Sequence, residues 1–107
     1  MLSACKDASK NDAKLVWADA DFLEAQKVQA WSDMPVWVPH RGDTAGFAAV
    51  SIAKALKAGL KFRPIAETAK ATLDWFHTLP EDRRAKLRAG IKPDREVEVL
   101  AALKAKK

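Results

Sequence analysis

Tyrosine is absent from the 107 residues, cysteine occurs once and histidine twice. Without tyrosine, no phenol can act as a general acid or base. Cys5 by itself cannot close an internal disulfide, so a reduced, cytoplasmic setting is expected. One cysteine and two separated histidines, His40 and His77, do not supply the regularly spaced ligands of a zinc site. Asp19-Ala20-Asp21 with Glu24 is acidic but lacks the pattern of a calcium loop. The four glycines stand at 42, 46, 59 and 90, and no two are spaced as the turn that follows a strand and cradles a dinucleotide. No window approaches the ~18 apolar residues of a membrane span, and the apolar run near Met1 is too short for a signal peptide. No membrane partner is therefore expected.

What is present suits one small domain over 1–107. Hydrophobic residues make up 49% of the chain, enough for a core at a high ratio of surface to volume. The net charge of +5 is unevenly placed: residues 1–50 hold five Lys/Arg against seven Asp/Glu, and residues 51–107 hold fourteen against seven. Such asymmetry is one mark of an anionic partner. Here Glu81, Asp82, Asp94, Glu96 and Glu98 are interleaved with the cations, as on a solvated helix face.

Along the chain, Leu2, Cys5 and Ala8 have helical spacing with no capping residue before them, as though the helix began upstream. Leu15 and Trp17 alternate with Lys14 and Val16, which predicts a strand over Ala13 to Ala18. Asp19 is placed to cap a short helix holding Phe22 and Leu23. Gln29 to Pro35 reads as loop, Val36 to Val38 as a short strand between Pro35 and Pro39, and His40 to Gly46 as irregular. Ser51 suits the N-cap of a helix over Ile52 to Ala58, closed by Gly59 and Leu60 in a Schellman stop. Lys61 to Arg63 is then extended, since Pro64 disfavours helix at the residue before it. Ile65 to Leu79 is the clearest helix, with Ile65, Ala69, Thr72, Leu73 and Phe76 on one stripe. Pro80 and Pro93 each suit the start of a further helix, Gly90 the stop between them, and Val97, Leu100 and Leu103 the apolar face of the last. The fold class expected is α+β, mostly helical with a few short strands.

Cys5 near Asp7 and Ser32-Asp33 are sequence neighbours without the positioned partners of a nucleophile, so no catalytic residue is assigned. Arg41-Gly42-Asp43 spells an adhesion tripeptide and reads as a turn. The tryptophans, with the basic half, raise the possibility of base stacking. Trp17 and Trp37 in strand-like runs and Trp75 in an amphipathic helix are instead expected in the core. Trp31 lies in a loop.

The run Lys54 to Trp75, a lysine-rich helix, a glycine stop, Phe62-Arg63-Pro64 and a second helix ending in tryptophan, resembles the C-terminal end of extended short-chain dehydrogenase/reductases, the NAD-dependent epimerase/dehydratase family. Met34 to Pro39 is similar to a proline-bounded segment of the same proteins. The resemblance implies a substrate-binding lobe. It also implies that hydride transfer on a small carbonyl, alcohol or sugar-like substrate, using NAD(P) and a Tyr-x-x-x-Lys pair, belongs to a nucleotide-binding half on another stretch of polypeptide. No cofactor is assigned to this chain. An apolar face would then pack on that partner half or on a second copy. Gly46-Phe47-Ala48-Ala49 stands where nucleotide-sugar enzymes of the family often carry arginine, which argues against a diphosphate-sugar substrate. Lobes of this kind present loops to substrate, so Trp37, His40, Arg41 and Phe47 are the candidate substrate-binding residues. Nucleic acid is not the partner this reading expects; the first alternative is a small basic module for single-stranded nucleic acid, and the second a free-standing interaction domain.

Overall fold

The computed structural model describes residues 1–106. Its elements are α1 (Leu2–Ser9), α2 (Ala20–Ala25), α3 (Ala53–Lys57), α4 (Ile65–Thr78), α5 (Glu81–Ala85) and α6 (Pro93–Lys106), with a 3-10 turn at Gly42–Thr44. They fall into two compact units, where one domain over 1–107 was expected. Unit 1 is Met1–Leu15 with Ser51–Leu87, and unit 2 is Val16–Val50 with Arg88–Lys107.

The helical part of the α+β expectation holds, and the strands do not form. Among the described residues the only β pairing is an isolated bridge between Ala30 and Met34. Alternation makes a strand only where a neighbouring strand takes up its N–H and C=O groups. Ala13 to Ala18 has no such neighbour, and Trp17 remains 85% exposed. At Val36 to Val38 the backbone turns instead: Val36 takes φ 65°, and the Trp31 N–H donates to the Trp37 carbonyl at 3.0 Å, closing a loop. Lys61 to Arg63 is irregular and unpaired with any strand.

In unit 2 the Asp19 carboxylate accepts from the Phe22 N–H at 2.7 Å, the cap expected from sequence. Helix α2 thereby sends Phe22 and Leu23 inward, where they meet Val28 and Val99 in the buried cluster. Helix α6 lies antiparallel to α2 and is held at both ends. Arg95 donates to the Gln26 carbonyl at the C-terminus of α2, and Lys106 donates to Asp19 at 2.7 Å with its ammonium 5.5 Å from the Phe22 ring centroid. Residues 95, 99, 102 and 106 share one helical stripe. The inward face of α6 is therefore set by Val99 and Ala102 with Leu103, and Val97, expected to be apolar lining, is 68% exposed. Backbone bonds from Gly90 to Ser32 (2.7 Å) and from Ile91 to Asp33 (2.8 Å) seat the entry to α6 on the loop after α2.

In unit 1, α1 packs on α4. The expected α4 stripe is present, with Ala69, Leu73 and Phe76 half-buried, yet no described side chain of this unit is fully buried. The Schellman stop forms as expected: Leu60 N–H donates to Ala55 carbonyl at 2.9 Å and Gly59 N–H to Leu56 carbonyl at 3.0 Å, with Gly59 at φ 100°. Ser51 does not cap the helix proper. Its hydroxyl accepts from Ala53 N–H at 3.3 Å, and the N-cap position falls to Ile52. Helix α5 stops at Ala85, well short of Gly90, because Glu81 to Arg88 offers no apolar face to bury. Trp75, expected in the core, is 60% exposed.

The Lys106 ammonium, then the Phe22 N–H, hold the Asp19 carboxyl below the ordinary aspartate range. A depressed folded pKa contributes stability that is fully present above the unfolded value, about 3.9, and is lost as pH falls through the folded value. An NMR titration of the Asp19 carboxyl carbon is expected to give a midpoint below that of an unstructured aspartate, and Lys106→Met is expected to move it upward. A native midpoint at or above about 3.9 would rule out the clamp.

Candidate functional site

The loop between α2 and the 3-10 turn carries Trp37, His40 and Arg41 of the four residues singled out from sequence, and Phe47 follows the turn. Its backbone is unusual. Lys27, Trp31 and Val36 have φ of 56°, 69° and 65°, a region L-residues avoid and a β-branched residue most of all. Asp33 steadies the loop, accepting from Gln29 N–H at 2.8 Å while its own N–H donates to the Gln29 carbonyl at 3.0 Å.

Two clefts share a wall made by Trp37 and Thr44. One, of about 460 Å³, lies between α2 and the loop and is lined by Glu24, Lys27, Gln29, Trp37, Arg41 and Thr44 among others. The second, of about 340 Å³, is lined by Val36, Trp37, His40, Thr44 and Phe47. The four candidates are thus brought together around one wall, though not into one pocket. Arg41 belongs to the first cleft and His40 and Phe47 to the second, while Trp37 borders both.

Arg41 is not a free guanidinium. It donates to Asp21 and to Glu24, which stand one turn apart on α2, and these carboxylates, Asp21 foremost, raise its pKa further. Its role is to pin the 3-10 turn to α2, and the Thr44 hydroxyl continues the tie by donating to the Arg41 carbonyl at 2.9 Å. The adhesion-like tripeptide lies in this turn with its arginine engaged internally. Trp37 is half-buried against the core, as expected, and Trp31 meets Phe47 edge to face at 5.9 Å and 87°. Sequence reasoning left Trp31 unassigned and missed Thr44, Asp21 and Glu24. The i, i+3 carboxylates opposite one arginine were the available signal.

Among the described residues no cluster of His, Cys, Asp or Glu is arranged to hold a metal ion. Gly59 ends α3 rather than opening a helix. What the clefts offer is an aromatic wall, a hydroxyl, an imidazole and a lysine, which is a set for binding and orienting a small polar molecule.

The strained loop yields a test. Val36 at φ 65° costs about 1–3 kcal/mol, and glycine removes that cost while adding about 0.4–1 kcal/mol of unfolded-state entropy. Val36→Gly is expected to stabilise unit 2 by about 1 kcal/mol, read by urea denaturation. A clear loss of stability would mean that the turn is not held as described.

No family model, curated protein or solved structure matches the chain, and its own residues carry the functional reading.

Proposed function

We propose that this chain is a non-catalytic binding lobe, which contacts a small polar ligand at the Trp37–Thr44 wall and completes its fold on another polypeptide. The observation that carries it is the gathering of Trp37, His40, Arg41 and Phe47 around two clefts on a strained, pinned loop. Strain of this kind persists where surrounding contacts over-determine the backbone, and such places are often binding sites. The resemblance of Lys54 to Trp75 to extended short-chain dehydrogenase/reductases supplies the identity proposed for that polypeptide: an NAD(P)-binding half of the epimerase/dehydratase kind, acting on a carbonyl, alcohol or sugar-like substrate. Exposed Trp75, Phe62, Ile65 and Leu56 support a face made to be covered.

Chemical-shift mapping of the labelled chain against small polyols, hydroxyketones and free sugars tests the reading. Shifts are expected at the Trp37 indole and Thr44, with Trp37→Ala weakening binding at least tenfold. Shifts scattered over both units, or unaffected by Trp37→Ala, would defeat it.

A second reading is favoured by one specific observation. Trp17, Trp31 and Trp75 are 85%, 56% and 60% exposed, so the core placement expected for Trp17 and Trp75, which argued against base stacking, does not hold. Aromatics open to solvent on a cationic chain suit single-stranded nucleic acid. Filter binding of a short oligothymidylate across a salt series separates the two. The lobe gives negligible retention at every salt, whereas nucleic-acid binding gives an affinity falling with a log–log slope of about −0.7 per phosphate contacted.

A further inference from the structure

Every described hydrogen bond of unit 1 joins residues no more than five positions apart, the widest being Arg63 Nε to the Thr68 hydroxyl and Leu60 N–H to the Ala55 carbonyl. Its one ion pair among the described residues, Lys70 with Asp74, lies along α4 itself. Unit 2 is tied differently, by Arg95 to Gln26 and Lys106 to Asp19 across 69 and 87 positions. Among the described residues, then, α1 rests on α4 by apolar contact with no polar tie, beside the trough that Cys5, Ala8, Ala69, Leu73 and Phe76 line.

That contact is thin. Helix α1 has eight residues, no side-chain cap, no acidic residue in its first turn and no buried residue. Its half-buried positions are Ala4, Lys6 and Ala8, while Leu2, its one large aliphatic, is 50% exposed. The methyls of two alanines return less than the backbone entropy of eight ordered residues costs. A helix shorter than about 12–15 residues does not sustain itself in water, so α1 is helical only while it lies on α4. Lys10 ends it at φ 51°, and residues 11–15 form neither helix nor strand, so α1 can leave without unwinding another element. Helix α4 is longer, with Glu67 in its first turn and the Lys70–Asp74 pair along its surface.

We infer that α1 is a releasable strap: it lifts from α4 and loses its helix while unit 2 stays folded, a local opening that bares the Ala69, Leu73 and Phe76 stripe. Segments with few buried apolar contacts open in this way at free energies well below that of global unfolding. The inference concerns the free chain and depends neither on the ligand clefts nor on the partner of the proposed function.

Native-state hydrogen exchange on the full, isotope-labelled chain tests it, with carbon chemical shifts reporting helix. The unaltered chain is expected to show helical shifts over α1, with amide protection there at least a hundredfold below that of Leu23, Val28 and Val99. Val99→Ala is expected to lower the protection of Leu23 and Val28 at least tenfold and to leave that of α1 within twofold. Leu73→Asp, which puts a charge beneath the strap, is expected to move the α1 shifts to coil values while the Leu23, Val28 and Val99 signals keep their positions and protection. Four results would each overturn the inference: equal protection in α1 and unit 2, α1 protection that falls with Val99→Ala, coil shifts over α1 in the unaltered chain, or helical shifts over α1 that persist in Leu73→Asp.

Discussion

The two-ended hold of α6 on α2 is the constraint from which unit 2 follows. Arg95 places a cation on the last carbonyls of α2, the end where the helix dipole is negative. Lys106 comes to the opposite end, where a bare cation would be unfavourable, and is accepted there because Asp19 stands between it and the first N–H groups. These contacts set the rotation of α6. With residues 95 and 106 turned toward α2, Val99 must face Phe22, Leu23 and Val28, and the core is assembled from segments more than seventy positions apart.

The two clefts depend on the same arrangement. Once α2 is fixed, Asp21 and Glu24 project from it as a pair that holds one guanidinium through its two terminal nitrogens. Arg41 in that position anchors the 3-10 turn, Thr44 bonds back to it, and the chain between α2 and the turn has a set distance to span. It does so with three residues at positive φ, and the side chains it turns outward or across include Trp31, Val36 and Trp37. Arg41 thus anchors the turn while lining the first cleft, and Trp37, Thr44, His40 and Phe47 line the clefts beside it.

Local signals were legible in the sequence and non-local ones were not. The Asp19 cap, the Gly59–Leu60 stop, the start of α6 at Pro93 and the α4 stripe are each decided within a few residues, and each forms. The strands at Ala13–Ala18 and Val36–Val38 needed partners elsewhere in the chain, and periodicity says nothing about whether a partner exists. The face of α6 was misread in part for the same reason. Leu100 and Leu103 are half-buried as expected, but Arg95 and Lys106 bind α2 and turn Val99, rather than Val97, to the core. Trp17 and Trp75 were expected inside because one lies in a strand-like run and the other in an amphipathic helix; the strand does not form, and Trp75 stays 60% exposed on its helix.

Unit 1 brings that shortage to a head. Ordering each residue costs about 1–2 kcal/mol of backbone entropy, and each large apolar side chain fully removed from water returns about 1.5–3 kcal/mol. Unit 2 has four buried side chains toward that balance, while unit 1 has none among the described residues and leaves Ile52, Leu56, Leu60 and Ile65 about half exposed and Phe62, Trp75 and Leu87 mostly in water. A surface that covered the α1–α4 trough of the folded form alone would add apolar burial and stabilise unit 1 by mass action.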